Sequence, residues 1–251
     1  MTTSNEQETH FGFARVSPTE KTKKVREVFD SVAPKYDIMN DLMSFGMHRL
    51  WKRHTVAIAN LRPNSKVLDL AGGTGDVSRL LAKSMKGTGM VILSDINQSM
   101  LMHGRDKCID QNMADSIVCV QANAQYLPFP EFEFDLVTMA FGLRNVTDKA
   151  QALREIHRVL RPGAKLLVLE FSELQLSSLA GVYDRFSFDV LPRLGEVIAK
   201  DPDSYRYLAE SIRLHPNQET LLAMMVDAGF ERCKYHNLLG GIVAIHEGLR
   251  L

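Results

Sequence analysis

The stretch Val67-Leu68-Asp69-Leu70-Ala71-Gly72-Gly73-Thr74-Gly75-Asp76, followed by Val91-Ile92-Leu93-Ser94-Asp95, decides the fold of this chain. It joins a buried strand, a glycine turn and a second strand that ends in an acid. Glycines at 72, 73 and 75 let the backbone turn tightly and approach a ligand with no Cβ in the way, and the helix that follows presents unpaired N–H groups toward the same place. Asp95 can take both hydroxyls of a ribose, as the acid about 20 residues past the glycine turn does in dinucleotide folds. A glycine turn alone is often only a tight loop. With strand, helix and acid in order, it reads as a nucleoside pocket.

The details separate two ligand classes. A dinucleotide site needs G-x-G-x-x-G/A so that a pyrophosphate can rest on the helix N-terminus, whereas the run from Gly73 is G-T-G-D-V-S, with an acid directly after the last glycine. An anion is repelled there. Asp69 and Asp76 flank the turn, and negative charge at this place suits a ligand carrying an ammonium or sulfonium group. The pattern D-x-A-x-G-x-G over 69–75 resembles the first motif of class I S-adenosylmethionine-dependent methyltransferases.

Bulk properties narrow the rest. At 251 residues the chain fits one α/β domain with extra segments and can bury a sizeable core. Thirty basic and thirty acidic residues cancel, so no global field recruits nucleic acid or an anionic membrane. Cys108, Cys119 and Cys233 are scattered, with no C-x-x-C spacing, which argues against a disulfide framework or a zinc site and for reduced cysteines in a cytoplasmic protein. The polar start, Met1 to His10, is no signal peptide, and no apolar run approaches the ~18 residues of a membrane span. Any membrane contact is expected to be peripheral.

Residues 1–18 read as a mobile arm, and Val25, Val28, Phe29 and Val32 at helical spacing predict a helix with one buried stripe over 20–32. Pro34 ends it, and 39–60 holds one or two further helices, so 1–60 forms an arm and helical cap ahead of a main domain over 61–251. From Lys66 strand-like runs at 66–70, 90–94, 117–121, 134–140 and 164–170 alternate with helical stretches near 75–85, 97–110 and 148–160. That alternation means a doubly wound, mostly parallel α/β sheet with ligands at the carboxyl ends of its strands. A helical insertion near 173–215 includes helices over 174–190 and 203–212. A helix over 217–228 is stopped by Gly229, and two strands, near 231–238 and 241–247, meet at Gly240-Gly241, a hairpin turn.

Two longer stretches carry a more specific resemblance. Tyr36-Asp37-Ile38-Met39-Asn40-Asp41-Leu42-Met43-Ser44-Phe45-Gly46-Met47-His48-Arg49-Leu50-Trp51 and Arg158-Val159-Leu160-Arg161-Pro162-Gly163-Ala164-Lys165-Leu166-Leu167-Val168-Leu169-Glu170-Phe171-Ser172 are similar to the two signatures of the ubiquinone/menaquinone biosynthesis C-methyltransferases, the UbiE family. Phe141-Gly142-Leu143-Arg144-Asn145-Val146 and 203–212 extend the likeness over essentially the whole chain. Two departures stand out: Ala164 where the family has glycine, and Ala140 where many relatives carry serine.

The resemblance implies a seven-stranded sheet with a terminal antiparallel hairpin, S-adenosylmethionine as co-substrate, no metal, and methylation of a ring carbon of a polyprenylated benzoquinol or naphthoquinol. It places Thr74 against the methionine moiety, Asp95 on the ribose and Asn123-Ala124 beside the adenine, with Asp69, Gly72, Gly73, Gly75 and Ala140 completing the cofactor set. Asn123 offers donor and acceptor groups to an adenine edge; the bland alternative is a turn cap. Arg144 and Asn145 follow the fourth strand, where the methyl group should point, and are the catalytic candidates. Arginine does not lose its proton, so Arg144 would favour a phenolate electrostatically while Asn145 orients substrate or a water. The usual alternative is a surface arginine.

Tyr36, Asn40 and His48 are the substrate-side candidates in the cap. A lone helical histidine is more often packed than catalytic, and Trp51 and the Met39, Met43, Met47 series ordinarily read as core. Glu170 is either a supporting carboxylate or a cap. Partners are the quinol and, left open, a homodimer, a quinone-biosynthesis assembly or the inner face of a membrane. An O-methyltransferase of soluble phenols, a nucleic-acid methyltransferase and a binding-only protein are the competing readings.

Overall fold

The computed structural model describes residues 8–33, 36–86, 88–175 and 202–251. Its centre is a seven-stranded sheet built from β3 (Lys66–Leu70), β4 (Met90–Asp95), β5 (Ile117–Gln121), β6 (Phe134–Ala140), β7 (Leu160–Phe171), β8 (Glu231–Leu238) and β9 (Val243–Leu249). The spatial order is β5-β4-β3-β6-β7-β9-β8, parallel through the first five and antiparallel where β9 pairs with β7 and β8. Val67, Leu68, Leu70, Val137, Leu166 and Val168 are sealed from solvent, as expected of parallel strands covered on both faces. The expected sheet, including its antiparallel end, is therefore present. Ala164 keeps out of the left-handed region, so its replacement of glycine is accommodated, while Gly240 and Gly241 take φ of 67° and 103° in the turn before β9.

Helices α4 (Asp76–Ser84), α5 (Gln98–Asp110) and α6 (Lys149–Val159) make the crossovers. Side-chain caps start two of them: Asn97 accepts from the Met100 N–H and Asp148 from the Gln151 N–H. The cap comprises α1 (Pro18–Val32), α2 (Tyr36–Ser44) and α3 (His48–Ala59). Ser17 caps α1, with Pro18 at its first position and Glu20 in its first turn, an arrangement that fixes where the helix begins. Trp51, Met39 and Met47 serve in apolar clusters, the core role their spacing suggested.

Two expectations need correction or fall outside. The start of the chain is not simply a mobile arm: β1 (Thr9–Phe11) and β2 (Ala14–Val16) form an antiparallel hairpin. Of the insertion, α7 (Pro202–Arg213) is present, but the helix expected over 174–190 lies almost wholly outside the described residues. Helix α8 (Gln218–Asp227) then leads into the last hairpin.

Gly104, inside α5, shows what holds the glycine turn in place. A Cβ there would sit 2.9 Å from the Gly73 carbonyl oxygen and 2.9 Å from Leu93 Cδ2. Helix α5 thus rests directly on the turn that follows β3. Gly104→Ala must push that backbone contact apart and is expected to lower stability by about 1–3 kcal/mol despite alanine's better helix propensity. Urea unfolding checks it; an unchanged or raised midpoint would show that α5 slides freely over the turn.

Candidate active site

The sheet changes direction between β3 and β6, since β4 and β5 run outward on one side of β3 and β6 lies on the other. A crevice opens at such a switch point, beyond the carboxyl ends of the strands. Here it is a cleft whose walls include Leu70 and Ala71 after β3, Asp95 at the end of β4, Asn123 and Ala124 after β5, and Met139 and Phe141 at β6. Ala71 and Phe141 both have positive φ, 53° and 57°, uncommon for residues with a side chain and concentrated at functional sites. Their loops touch closely: a Cβ on Gly142 would lie 2.5 Å from the Ala71 Cβ.

Asp95 is nearly closed off and its carboxylate is oriented by two backbone donors, the Gly73 N–H at 2.9 Å and the Asn97 N–H at 2.8 Å. Burial pushes its pKa up and these hydrogen bonds pull it back. Each oxygen keeps a further lone pair for a ligand hydroxyl. Asn97 also donates to the Asp30 carboxylate and the Arg26 carbonyl, which ties α1 across the cleft. Thr22, Val25, Arg26 and Phe29 of α1 therefore line it. Sequence reasoning gave Val25 and Phe29 only to a buried stripe; nothing local distinguishes a core face from a face laid over a pocket. The Asn123 carboxamide accepts from the Gln125 N–H, so it caps a turn and lines the cleft at once.

A second, smaller recess adjoins the first and shares Ala71 and Phe141 with it. Asp69, Gly72, Thr74 and Ala140 line this recess together with Lys52 and Asp76, while Gly73 lines the larger cleft and Gly75 caps α4 with φ 77°. The open negative charge read from Asp69 and Asp76 is not there. Asp76 is bonded to Lys52 at 2.8 Å and Arg79 at 2.6 Å, and the charges of Lys52 and Arg79 hold its pKa down against burial. Asp69 is sealed inside, accepting from the Ser78 hydroxyl at 2.6 Å and the Thr138 hydroxyl at 2.9 Å. Lys52, in α3, was missed because its partner lies 24 residues away.

After β6, Asn145 lines the cleft and the neighbouring Arg144 is buried. The Arg144 guanidinium donates to Glu170 at 2.9 Å and to the Phe141 carbonyl, its backbone N–H also reaches Glu170, and it sits over the Phe171 ring at 5.8 Å. Glu170 is thus the buried counter-ion of Arg144. Of the guanidinium nitrogens, Nε is buried with no partner among the described residues. Asn145 accepts a 2.9 Å hydrogen bond from the Tyr207 hydroxyl, a residue sequence reasoning did not single out.

Of the cap candidates, His48 is buried and its Nε2 pairs with Asp41 at 2.9 Å. Burial and then Lys52 lower its pKa, with Asp41 opposing. Asn40 is half-buried in α2, where its carbonyl accepts from the Ser44 hydroxyl; the Tyr36 side chain lies outside the described parts. Neither Asn40 nor His48 lines the cleft or the recess. Apolar walls, a carboxylate with free lone pairs and an adjoining recess with charges of both signs fit a nucleoside carrying an amino-acid tail.

Asp69 yields a pH prediction. Burial raises its pKa to about 6, with the Ser78 and Thr138 hydrogen bonds and the Lys52 charge opposing. The unfolded value is near 3.9. Between those two values the folded chain keeps a proton that the unfolded chain has lost, so this group's contribution to stability falls as pH rises through the window, by about 2–3 kcal/mol in all. Asp69→Asn removes that slope. Urea titrations from pH 4.5 to 7 should show the variant gaining on the wild type as pH rises; parallel curves would mean Asp69 does not titrate there.

Comparison with known proteins agrees with the geometry. The model of the ubiE/COQ5 methyltransferase family matches residues 18–250. The chain is 59% identical over 96% of its length, and 94% of the relative's, to the ubiquinone/menaquinone biosynthesis C-methyltransferase UbiE of Ectopseudomonas mendocina. It is 56% identical to the protein of the same name from a Shewanella species, covering all of both chains. In fold it is similar to a SAM-dependent methyltransferase from Aquifex aeolicus, with TM-score 0.62 and 16% identity over 86% of this chain and 98% of that one. The chain belongs to the ubiE/COQ5 methyltransferase family.

Proposed function

We propose that this chain transfers the methyl group of S-adenosylmethionine to a ring carbon of a polyprenylated benzoquinol or of demethylmenaquinol, the C-methylation step of ubiquinone and menaquinone biosynthesis. The observation that carries this reading is near-full-length identity of 59% to a relative of that activity. Bound S-adenosylmethionine supplies an electrophilic methyl group on a sulfonium. The rest is the chain's work. Asp95 holds the ribose, Asn123 and Ala124 border the base, and the recess between Thr74, Ala140, Lys52 and Asp76 takes the amino-acid end.

A hydroquinone carbon becomes nucleophilic beside an ionised oxygen, so the site must favour the phenolate, align the carbon with the methyl group and keep water out. Asn145 faces the acceptor and donates to that oxygen. Arg144 lends its charge from just behind and, through Glu170 and the Phe141 carbonyl, holds the loop carrying Asn145. Tyr36, Asn40 and His48 belong to the cap on the acceptor side; His48, engaged by Asp41, positions that cap. Among the described residues no helix is long and apolar enough to cross a membrane, and Ile38, Phe45 and Leu50 are exposed on the cap. In this reading the protein meets its lipid-tailed acceptor as a peripheral visitor to the membrane.

Purified protein incubated with ¹³C-methyl-labelled S-adenosylmethionine and each demethylated quinol in turn should place the label on a ring carbon by NMR. A methoxy product, or no transfer to any quinol, overturns the assignment.

The buried pair generates its own test. Arg144→Met strands Glu170 as an unpaired buried charge and should cost about 3–5 kcal/mol of stability, much of which Arg144→Met/Glu170→Gln recovers. The stable double variant then isolates the chemistry. It is expected to turn over at least about tenfold slower, for want of the guanidinium and of the brace that aims Asn145. Turnover at the wild-type rate would remove Arg144 from the reaction.

A further inference from the structure

Helix α7 brings Tyr207 against Asn145 of the cleft wall, and its hydroxyl donates to Asn145 Oδ1 at 2.9 Å. Tyr207 is buried, and Phe11 of the N-terminal hairpin stacks on its ring with centroids 4.2 Å apart and planes 13° from parallel. The hairpin is fastened to the same helix, because the Phe13 N–H donates to Glu210 at 3.0 Å. Its turn is cut to fit: a Cβ on Gly12, at φ 54°, would lie 2.0 Å from the Glu210 carboxylate. The phenol is thus clamped by contacts nearly two hundred residues apart in sequence.

We infer that Tyr207 is a positioning residue for the methyl-transfer reaction, fixing the Asn145 carboxamide so that its NH₂ group is presented to the oxygen of the acceptor ring. The inference rests on the quinol reading above and names the device that orients its Asn145. Two observations support the sense of the amide. Asn145 Nδ2 has no partner among the described residues and is not sealed from solvent, and Asn145 lines the cleft. Turning the amide over would make Nδ2 donate to the phenol oxygen and leave the Tyr207 O–H without an acceptor among the described residues. An unsatisfied buried hydroxyl is costly, so the observed sense is the favoured one. The phenol also stays a donor at any working pH: burial raises its pKa to about 12, with Glu170 adding to the shift and Arg144 opposing it. A carboxamide whose oxygen is turned to Tyr207 presents its NH₂ donors on the other side, which suits a hydroquinone oxygen that gains negative charge in the transition state.

Tyr207→Phe keeps the stacked ring and removes the hydroxyl. It is expected to lower kcat about five- to tenfold, with S-adenosylmethionine affinity unchanged. In the Asn145→Ala background the same substitution should cost less than about twofold, because Tyr207 acts only through Asn145. Losses that multiply in the double variant would overturn the inference, as would full activity of Tyr207→Phe. A readout that needs no turnover accompanies the cycle. In ¹⁵N-asparagine-labelled protein the Asn145 side-chain NH₂ signals, identified by their loss in Asn145→Ala, should shift and broaden in Tyr207→Phe. Signals that do not change would also overturn it. If the wild type methylates no quinol carbon, the functional reading fails, while the NMR comparison still decides whether Tyr207 orients Asn145.

Discussion

A carboxylate with no contact with water sits at the centre of the sheet, and the geometry of the cleft depends on it. Asp69 lies in β3 beside Thr138 of β6 and under Ser78 of α4, and it accepts a hydrogen bond from each. Burying a charge there is unfavourable unless it is hydrogen-bonded, which is why two hydroxyls converge on it. The network joins the two strands that diverge at the switch point to the helix that follows the glycine turn. Their carboxyl ends are thereby held in one register, so Ala71 and Phe141 can meet across the opening. A Leu or Val at 69 would fill the volume without specifying these partners.

From that centre the site is assembled by contacts between parts of the chain far apart in sequence. Asp95 is fixed by backbone donors on its own turn and on the glycine turn; Asn97 reaches back to Arg26 and Asp30 of α1; Lys52 of α3 reaches Asp76. The cap is therefore keyed to the cofactor half by polar bonds at its margins and by apolar packing around Trp51, Phe141 and Phe171. Such margins open at less cost than a continuous core.

What was legible in the sequence follows from range. Strands β3 to β7 announce themselves because runs such as Val67-Leu68-Asp69-Leu70 are buried on both faces and each crossover restores the helical period. Asp95 was readable from its place at a strand end. The hairpin over 9–16 was not, since its short polar strands draw their stability from Phe11 on Tyr207 and Phe13 on Glu210, contacts no local window contains. The same holds for charge. Asp76 looks like an open anion until Lys52 is brought to it, and Arg144 like a free cation until Glu170 is. Sequence gives the sign of a side chain and its neighbours along the chain; the fold decides whether that charge faces a ligand.

The Arg144–Glu170 pair bears on why a fold of this kind spends polar groups in its interior. A buried ion pair is weak evidence for stability, because desolvating both partners offsets most of their attraction. What the pair does is geometric. The Glu170 carboxylate takes the Arg144 guanidinium and backbone N–H, and the guanidinium takes the Phe141 carbonyl, so residues 141–145 become one short, braced turn. That bracing holds Phe141 at positive φ, where its ring borders both the cleft and the recess. A hydrophobic substitute would cover the same area yet leave the turn free to relax, and with it the direction in which Asn145 points. For the methyl transfer proposed above, orientation at this turn is worth more than the last increment of stability.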